Sequence, residues 1–551
     1  MLLNRRQFAG GAVGLLAAPF ATRAFGQAGS LPAAALSAIA AYAEAHRRQF
    51  TLPGMTVGVS LPDGRSTVLN FGYSDLQARS RIGGDTLFQI GSITKSMTAL
   101  LVHQFAAQNA FGLNDRIGTI LPEVPLPAGN TITVQQLLDH VSGLPDMAPL
   151  FPPGGLWTGY APGSHWTYSN TGYELLGRLV EHAGSKPLAQ LFQERVFTPL
   201  GMGRTRGAIV AADRSLYAQG YGAAQDDVPF VWGTQLAPSD WVDFNSGGGC
   251  VASTAEDMNL YLRALSMLAR GKGGLGLDIA HGSALIRHAV PSDTPGMTYG
   301  NGLMHVAEGG RSYLHHTGGM VAFSSSFHLD THSGVAAFAS SSFTGFAEYR
   351  PKLLTRFAVD ALTNALTGRP LPKPPYLGFS LPNVSQYLGT YSGPAGTIEI
   401  QSGTPLTIAA NGITAQLQPW ATDLFRTSHP QFREFTLLFE RTNGAISHVS
   451  WGPHTFVRSG AAFEVPASDP ALSALAGRYM NDSPWWGATR IVERGGKLWI
   501  GTDGPMAKIG DNLWRVGRDS WSPERVSFSD TMGGRPQTMI FSAERFYRQD
   551  V

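Results

Sequence analysis

Residues 88–101 read Phe-Gln-Ile-Gly-Ser-Ile-Thr-Lys-Ser-Met-Thr-Ala-Leu-Leu. Ser92 and Lys95 stand three apart ahead of a run of good helix formers. A helix starting near Ser92 therefore puts a hydroxyl and an ammonium on one face. Gly91 allows a tight entry. The N–H groups and dipole of a helix start favour negative charge, which an alkoxide and the oxyanion formed by its attack on a carbonyl both carry. A lysine whose pKa is lowered by burial can take the hydroxyl proton. No other lysine of the chain has a serine three residues before it. The competing reading is a polar helix start with a solvated lysine.

Two further groups of residues fit the same chemistry. Tyr168-Ser169-Asn170 follows a Pro162-Gly163 turn and leads into Gly172-Tyr173-Glu174-Leu175-Leu176-Gly177, a helix start. A phenol beside the serine can share a proton with Lys95 and protonate a leaving group, and Asn170 can hold the lysine and a substrate amide. Tyr299-Gly-Asn301 and Tyr479-Met-Asn481 match the short pattern but lack that setting. Further on, His316-Thr317-Gly318-Gly319 leads into residues 323–329, which read as a strand. His332-Ser333-Gly334 competes with it but follows Asp330-Thr331 and reads as a hairpin turn. Residues 246–250, Ser-Gly-Gly-Gly-Cys, are expected to line a cleft floor, with Cys250 a small buried filler.

The three motifs, in this order, resemble those of the β-lactamase-like serine hydrolases: class C β-lactamases, D,D-peptidases, D-aminopeptidases and family VIII esterases. The resemblance covers about residues 31–366. It implies Ser92 as nucleophile, Lys95 and Tyr168 as its proton carriers, and Asn170, His316, Thr317, Gly318 and Gly319 around the substrate. The N–H groups of Ser92 and Gly319 would form the oxyanion hole. It also implies an α+β domain, an antiparallel sheet flanked by helices, with a helical subdomain between Lys95 and about residue 265. Residues 349–366 read as the closing helix. One departure is that no acidic deacylating base can be assigned. Where relatives carry lysine or histidine, this chain has His316. An ordinary histidine, with a pKa of about 6.5, is mostly neutral at pH 7 and gives little charge assistance to a substrate carboxylate.

Other elements must position these groups. Residues 31–49 read as an Ala-rich helix, and 55–59 and 66–72 as strands about Pro62-Asp63-Gly64. Residues 134–140 read as a short helix in a scaffold segment, with His140 structural. Asn4-Arg5-Arg6-Gln7-Phe8, an apolar run and small residues resemble a twin-arginine export signal over residues 1–28. The hydrolase domain is assigned to 29–367 and a Pro-rich linker to 368–380. Two lipocalin-like antiparallel β-barrels follow, at 381–460 and 468–551. They rest on an internal repeat in which Tyr387-Leu-Gly-Thr-Tyr391 answers Leu475-Ala-Gly-Arg-Tyr479, and Thr455-Phe-Val-Arg458 answers Arg545-Phe-Tyr-Arg548. Closed barrels remove exposed edges. A hydrolase followed by two such barrels resembles bacterial D-aminopeptidases. Loops at Asn481-Asp-Ser-Pro-Trp-Trp486 or Thr502-Asp-Gly-Pro505 are expected to reach the cleft rim.

No basic stripe points to nucleic acid, and a formal net charge of +2 with 15% charged residues argues against electrostatic binding to anionic surfaces. One cysteine excludes a disulfide framework and a Cys-based zinc site. No metal or cofactor is assigned. The expected function is an exported serine hydrolase, periplasmic or secreted, that cleaves an amide or ester through an acyl-enzyme on Ser92 and is closest to a D-aminopeptidase. The alternatives are a carboxylesterase or weak class C-like β-lactamase, and, from another class, a slowly deacylating penicillin-binding sensor. The partner is a small peptide, amide or ester, with no membrane anchor after signal cleavage and room left for a homodimer.

Overall fold

The computed structural model describes residues 30–549 apart from 128, 226–227, 345–350, 378, 380 and 382. The export signal assigned to residues 1–28 lies outside the described residues, as do Tyr349 and Arg350 at the start of the expected closing helix.

Among the described residues, nine strands make one antiparallel sheet. They are β1 (Gly54–Ser60), β2 (Ser66–Asp75), β3 (Ser80–Arg81), β4 (Val290–Pro291), β5 (Met297–Gly300), β6 (Leu303–Glu308), β7 (Arg311–Met320), β8 (Phe323–Asp330) and β9 (Ala336–Ser341). Their order is β3-β2-β1-β9-β8-β7-β6-β5-β4. Five long helices bear on the argument: α1 (Ala33–Gln49), α2 (Thr94–Ala107), α3 (Asn170–Gly184), α4 (Ala255–Ala269) and α5 (Lys352–Leu366). Side chains of a strand alternate between faces, and β9 uses both. Ala337 and Ala339 join α1 and α5 in one core, while Ala336 and Phe338 join α2, α3 and α4 in the other. Strand β8 repeats this division. Phe327 and Leu329 face the second core, and Ser326 and His328 meet Thr355 of α5 at 3.1 and 2.8 Å. Both faces being covered explains why β1, β8 and β9 are buried along their whole length, the face of β8 that carries Ser324, Ser326, His328 and Asp330 included.

Helix α2 is buried from Thr94 to Phe105, as a helix enclosed in a core must be. Helices α3 and α4 start at side-chain caps: Ser169 Oγ accepts the Gly172 N–H and Thr254 Oγ1 the Asp257 N–H.

After α5 no described residue up to Val384 is in a helix or strand. In this stretch Leu371 and Leu377 pack against the α1/α5 core. Two closed eight-stranded antiparallel barrels follow, from Gly389–Gly393 to His454–Arg458 and from Gly477–Met480 to Glu544–Gln549. The repeated residues supply the closure. Tyr391 pairs with Arg458 and Tyr479 with Arg548 where first and last strands meet. Each tyrosine hydroxyl donates to the carbonyl four residues back, at 2.9 Å to Tyr387 and 2.7 Å to Leu475. Each arginine lies over its tyrosine ring.

Phe338 is wholly buried between the sheet and the helices of the active-site side. Phe338→Ala is expected to lower stability by about 3–5 kcal/mol. Ile279→Ala, at a position 63% exposed, should stay within about 0.5 kcal/mol. Urea unfolding of the two variants checks this, and equal midpoints would contradict it.

Candidate active site

Ser92 lies in the 3₁₀ turn Gly91–Ile93 that runs into α2. Gly91 has φ +54°, and a Cβ on it would come within 2.7 Å of the nitrogen and oxygen of Gly319. Only bare backbone permits that approach. A Cβ on Gly318 would run into the Ile90 carbonyl, which also accepts the Ser325 hydroxyl at 2.8 Å. Strand β7 pairs with β6 only from Arg311 to His315. From His316 on, its free edge faces the serine turn. Ser92, Tyr168, Asn170, His316, Thr317 and Gly319 line one cleft of about 1260 Å³, with Gly318 behind them against Ile90.

Lys95 is fully buried beneath this wall. Its Nζ donates to Ser92 Oγ at 3.1 Å, Asn170 Oδ1 at 2.6 Å and the Gly248 carbonyl at 2.7 Å. These three bonds use the three N–H groups of an ammonium. In the uncharged amine, two N–H groups can stay on Asn170 and Gly248 while the lone pair faces the serine hydroxyl. The longest of the three bonds is the one that would reverse. Burial pulls the Lys95 pKa down to about 7, against the opposing pull of Asp146. The Asp146 carboxyl is raised by its own burial. Its Oδ1 accepts both the backbone N–H of Asn170, at 3.1 Å, and the Nδ2–H, at 2.8 Å. That pair of bonds turns the Asn170 carbonyl oxygen towards Lys95.

The Tyr168 ring lies 4.8 Å from Lys95 Nζ. His140 sets its turn: at φ +60°, it accepts the Ser169 N–H on Nδ1 at 3.1 Å and the Thr167 N–H on its carbonyl at 2.9 Å. His316 Nδ1 sits 2.6 Å from the Thr317 carbonyl, so it carries the proton. Its Nε2 therefore accepts the Tyr299 hydroxyl at 3.2 Å. Burial and the Lys95 charge hold His316 down at about 3. The ring is uncharged at neutral pH because it is dry, a stronger cause than the ordinary histidine pKa. Gly248 and Gly249 form part of the cleft, and Cys250 is buried with its thiol on the Gly207 carbonyl, its pKa pushed up to about 12 by burial.

Three residues were not singled out in the sequence. Asp146 directly follows Ser142-Gly-Leu-Pro145, which reads as scaffold. Tyr299 belongs to a Tyr-x-Asn copy that lacks the expected setting, yet it lies against His316 and His140. Glu524 belongs to the second barrel and accepts the Asp146 N–H at 2.7 Å. Nothing in the local sequence marks any of the three.

The second barrel forms part of the cleft through residues 480–487 and Glu544. Trp485 stacks on Phe244 at 4.9 Å and donates to the Met147 sulfur. Trp486 packs into the barrel core instead. The other expected rim loop points elsewhere. Thr502 donates to the Thr436 carbonyl and accepts the Gly452 N–H, both in the first barrel. Its turn is occupied by barrel-to-barrel packing, so Thr502–Pro505 is not a cleft loop. Asp482, Glu174 and Glu544 give the cleft an acidic side. Burial raises both glutamates, and Glu544 raises Glu174 further.

Residues 39–359 match the protein family described as Beta-lactamase. The chain is 28% identical over 221 residues to penicillin-binding protein 4* of Bacillus subtilis, across 36% of this chain and 48% of that protein. It is also 28% identical over 279 residues to esterase EstB of Burkholderia gladioli, across 42% of this chain and 70% of that one. The chain thus spans about half the length of the first curated relatives it matches. The octameric penicillin-binding protein homologue from Pyrococcus abyssi superposes with a TM-score of 0.55 at 19% identity, over 77% of this chain and all of the other, a likeness of fold. With more than half of its length matched, the chain belongs to the β-lactamase family of serine hydrolases.

Proposed function

We propose that this protein is an exported serine hydrolase that cleaves short amides through an acyl-enzyme on Ser92, with the preference of a D-aminopeptidase. The observation that carries the reading is the buried Lys95, bonded to Ser92, Asn170 and the Gly248 carbonyl. In the proposed cycle the Ser92 proton passes to uncharged Lys95 as Oγ bonds to the substrate carbonyl carbon. The N–H groups of Ser92 and Gly319 receive the oxyanion. As the scissile bond breaks, Lys95 and Tyr168 return the proton to the leaving amine. Water then attacks the acyl carbon, its proton passing through the same pair to Ser92 Oγ as the acyl–Oγ bond breaks.

Two features support an amine-bearing substrate. The acidic side of the cleft can hold an ammonium, whose charge would relieve the repulsion between Glu174 and Glu544. The loop 481–487 walls one side and favours short chains. The uncharged His316 gives no cation for a carboxylate, so penicillins and cephalosporins should be poor substrates. The test is a panel of D-amino-acid amides, their N-acetyl derivatives, nitrophenyl esters and a chromogenic cephalosporin. Free-amine amides should exceed N-acetylated ones, and Ser92→Ala should lose several orders of magnitude in kcat. Equal rates with and without the amine would remove the aminopeptidase preference. An active Ser92→Ala variant would remove the acyl-enzyme.

The base must be uncharged to act, so kcat/KM should rise with pH through about 7, the Lys95 value, and be lost as acid protonates the amine. Asp146 favours the ammonium. Asp146→Asn, which can still accept from Asn170, should move the acid limb of the pH–rate profile to lower pH. A limb that stays in place or moves upward would contradict the assignment.

Export rests on Arg5-Arg6 and the apolar run behind them. Arg5→Lys with Arg6→Lys should leave the protein in the cytoplasmic fraction of a host that exports the parent chain. Unchanged export would rule out the twin-arginine route.

A further inference from the structure

The cleft loop 481–487 is not the only place where the second barrel meets the hydrolase. The segment between strands Leu513–Val516 and Arg525–Met532 nests against the loop that carries Asp146. Trp157 Nε1 donates to the Pro523 carbonyl at 2.7 Å, and the Trp521 indole stacks on His165 at 4.6 Å and 8°. Arg525 lies over the Trp157 ring at 5.1 Å. A Cβ on Gly159 would run into the Trp521 carbonyl and come within 2.7 Å of the Pro523 nitrogen, so the contact requires glycine there. At the centre of this interface Glu524 is fixed from both sides. Its Oε2 accepts the Ser542 hydroxyl at 2.5 Å, and its carbonyl accepts the Val516 N–H at 2.9 Å. Its Oε1 accepts the Asp146 N–H at 2.7 Å.

From there the bonds run without a gap into the site. Asp146 holds the Asn170 amide at 2.8 Å, Asn170 holds Lys95 at 2.6 Å, and Lys95 holds Ser92 at 3.1 Å. We propose that Glu524 is a positioning residue for the hydrolytic centre: through Asp146 and Asn170 it sets where the Lys95 amine stands relative to Ser92. The proposal rests on the acyl-enzyme reading above. It makes the second barrel part of the machinery that aligns proton transfer, in addition to its place at the cleft rim. Glu524 is half-buried and is the acceptor that fixes the Asp146 N–H, so its loss lets the Asp146 turn relax. Misplacement of reacting groups by about 1 Å costs on the order of 100-fold.

The test compares Glu524→Met, which removes the acceptor at similar volume, with Glu524→Gln, whose carbonyl can still accept the Asp146 N–H. Both are made in the full chain and assayed on the best substrate of the panel above. Active-site concentration is taken from the burst of nitrophenol, and the thermal midpoint of each variant is recorded. The expected result is a fall in kcat of about 10- to 100-fold for Glu524→Met with KM within about threefold. Glu524→Gln should stay within about threefold of the parent. Should Glu524→Met fail to fold, Ser542→Ala replaces it: it frees the carboxylate from its barrel anchor and is expected to lower kcat about fivefold. Parent-like kcat in the variant measured, a loss confined to KM, or an equal loss in Glu524→Gln would each overturn the proposal. Ser92→Ala is measured alongside. If it turns over substrate, the acyl-enzyme reading has failed. If it is inert while Glu524→Met is unimpaired, only the positioning role has.

Discussion

A lysine with no exposed surface is the constraint on which this structure turns. Taking an ammonium out of water costs several kcal/mol unless its protons find partners. Three oxygens meet Lys95: one from the serine turn, one from the start of α3 and one from the glycine run before α4. No single element could supply them. The serine turn, the helical subdomain and the Gly-rich segment must converge to a few tenths of an ångström before the lysine can be buried. The same burial that makes this demanding brings the amine near neutrality, where it can exchange a proton with a hydroxyl.

The glycines of the site follow from that convergence. Gly91 and Gly318 let the serine turn and the edge of β7 touch backbone to backbone. Gly247 does the same against α3, where a Cβ would run into the Tyr173 carbonyl. Around the lysine the histidines are kept neutral. His140 and His316 are both wholly enclosed, and their pKa values fall through burial and through the lysine charge. The centre therefore carries its charge on the Lys95 and Asp146 pair, with histidines that orient tyrosines.

How much of this could be read in the sequence depended on distance along the chain. Ser92 and Lys95 are neighbours on one helical turn, so their meeting is a local fact. The two barrels were legible because their closure is written twice, in Tyr391 with Arg458 and again in Tyr479 with Arg548. Strand β9 was blurred, because it is covered on both faces and its Ala-Ala-Phe-Ala-Ser-Ser run has no polar side to mark the period. Asp146, Tyr299 and Glu524 were beyond reach for a different reason. Each acts on a residue 17 to 378 positions away, and nothing local distinguishes an acid under the active site from one on the surface. Which loops of a barrel face the hydrolase is likewise a matter of docking, which periodicity does not record.

Closed barrels have consequences for how such a protein can change over generations. A barrel with every strand paired has no edge to protect, so its loops can lengthen, shorten or change composition without exposing an aggregation-prone surface. Here two loops of one barrel stand under unequal constraint. The loop at 481–487 contributes side chains to the cleft, and new sequences there would reshape its wall while leaving the barrel intact. The loop at 521–525 is bound by a glycine contact, stacked rings and a carboxylate hydrogen-bonded on both sides. Divergent descendants of this chain should therefore show drift in the first loop and near-invariance in the second, a pattern that an alignment of its close relatives would display.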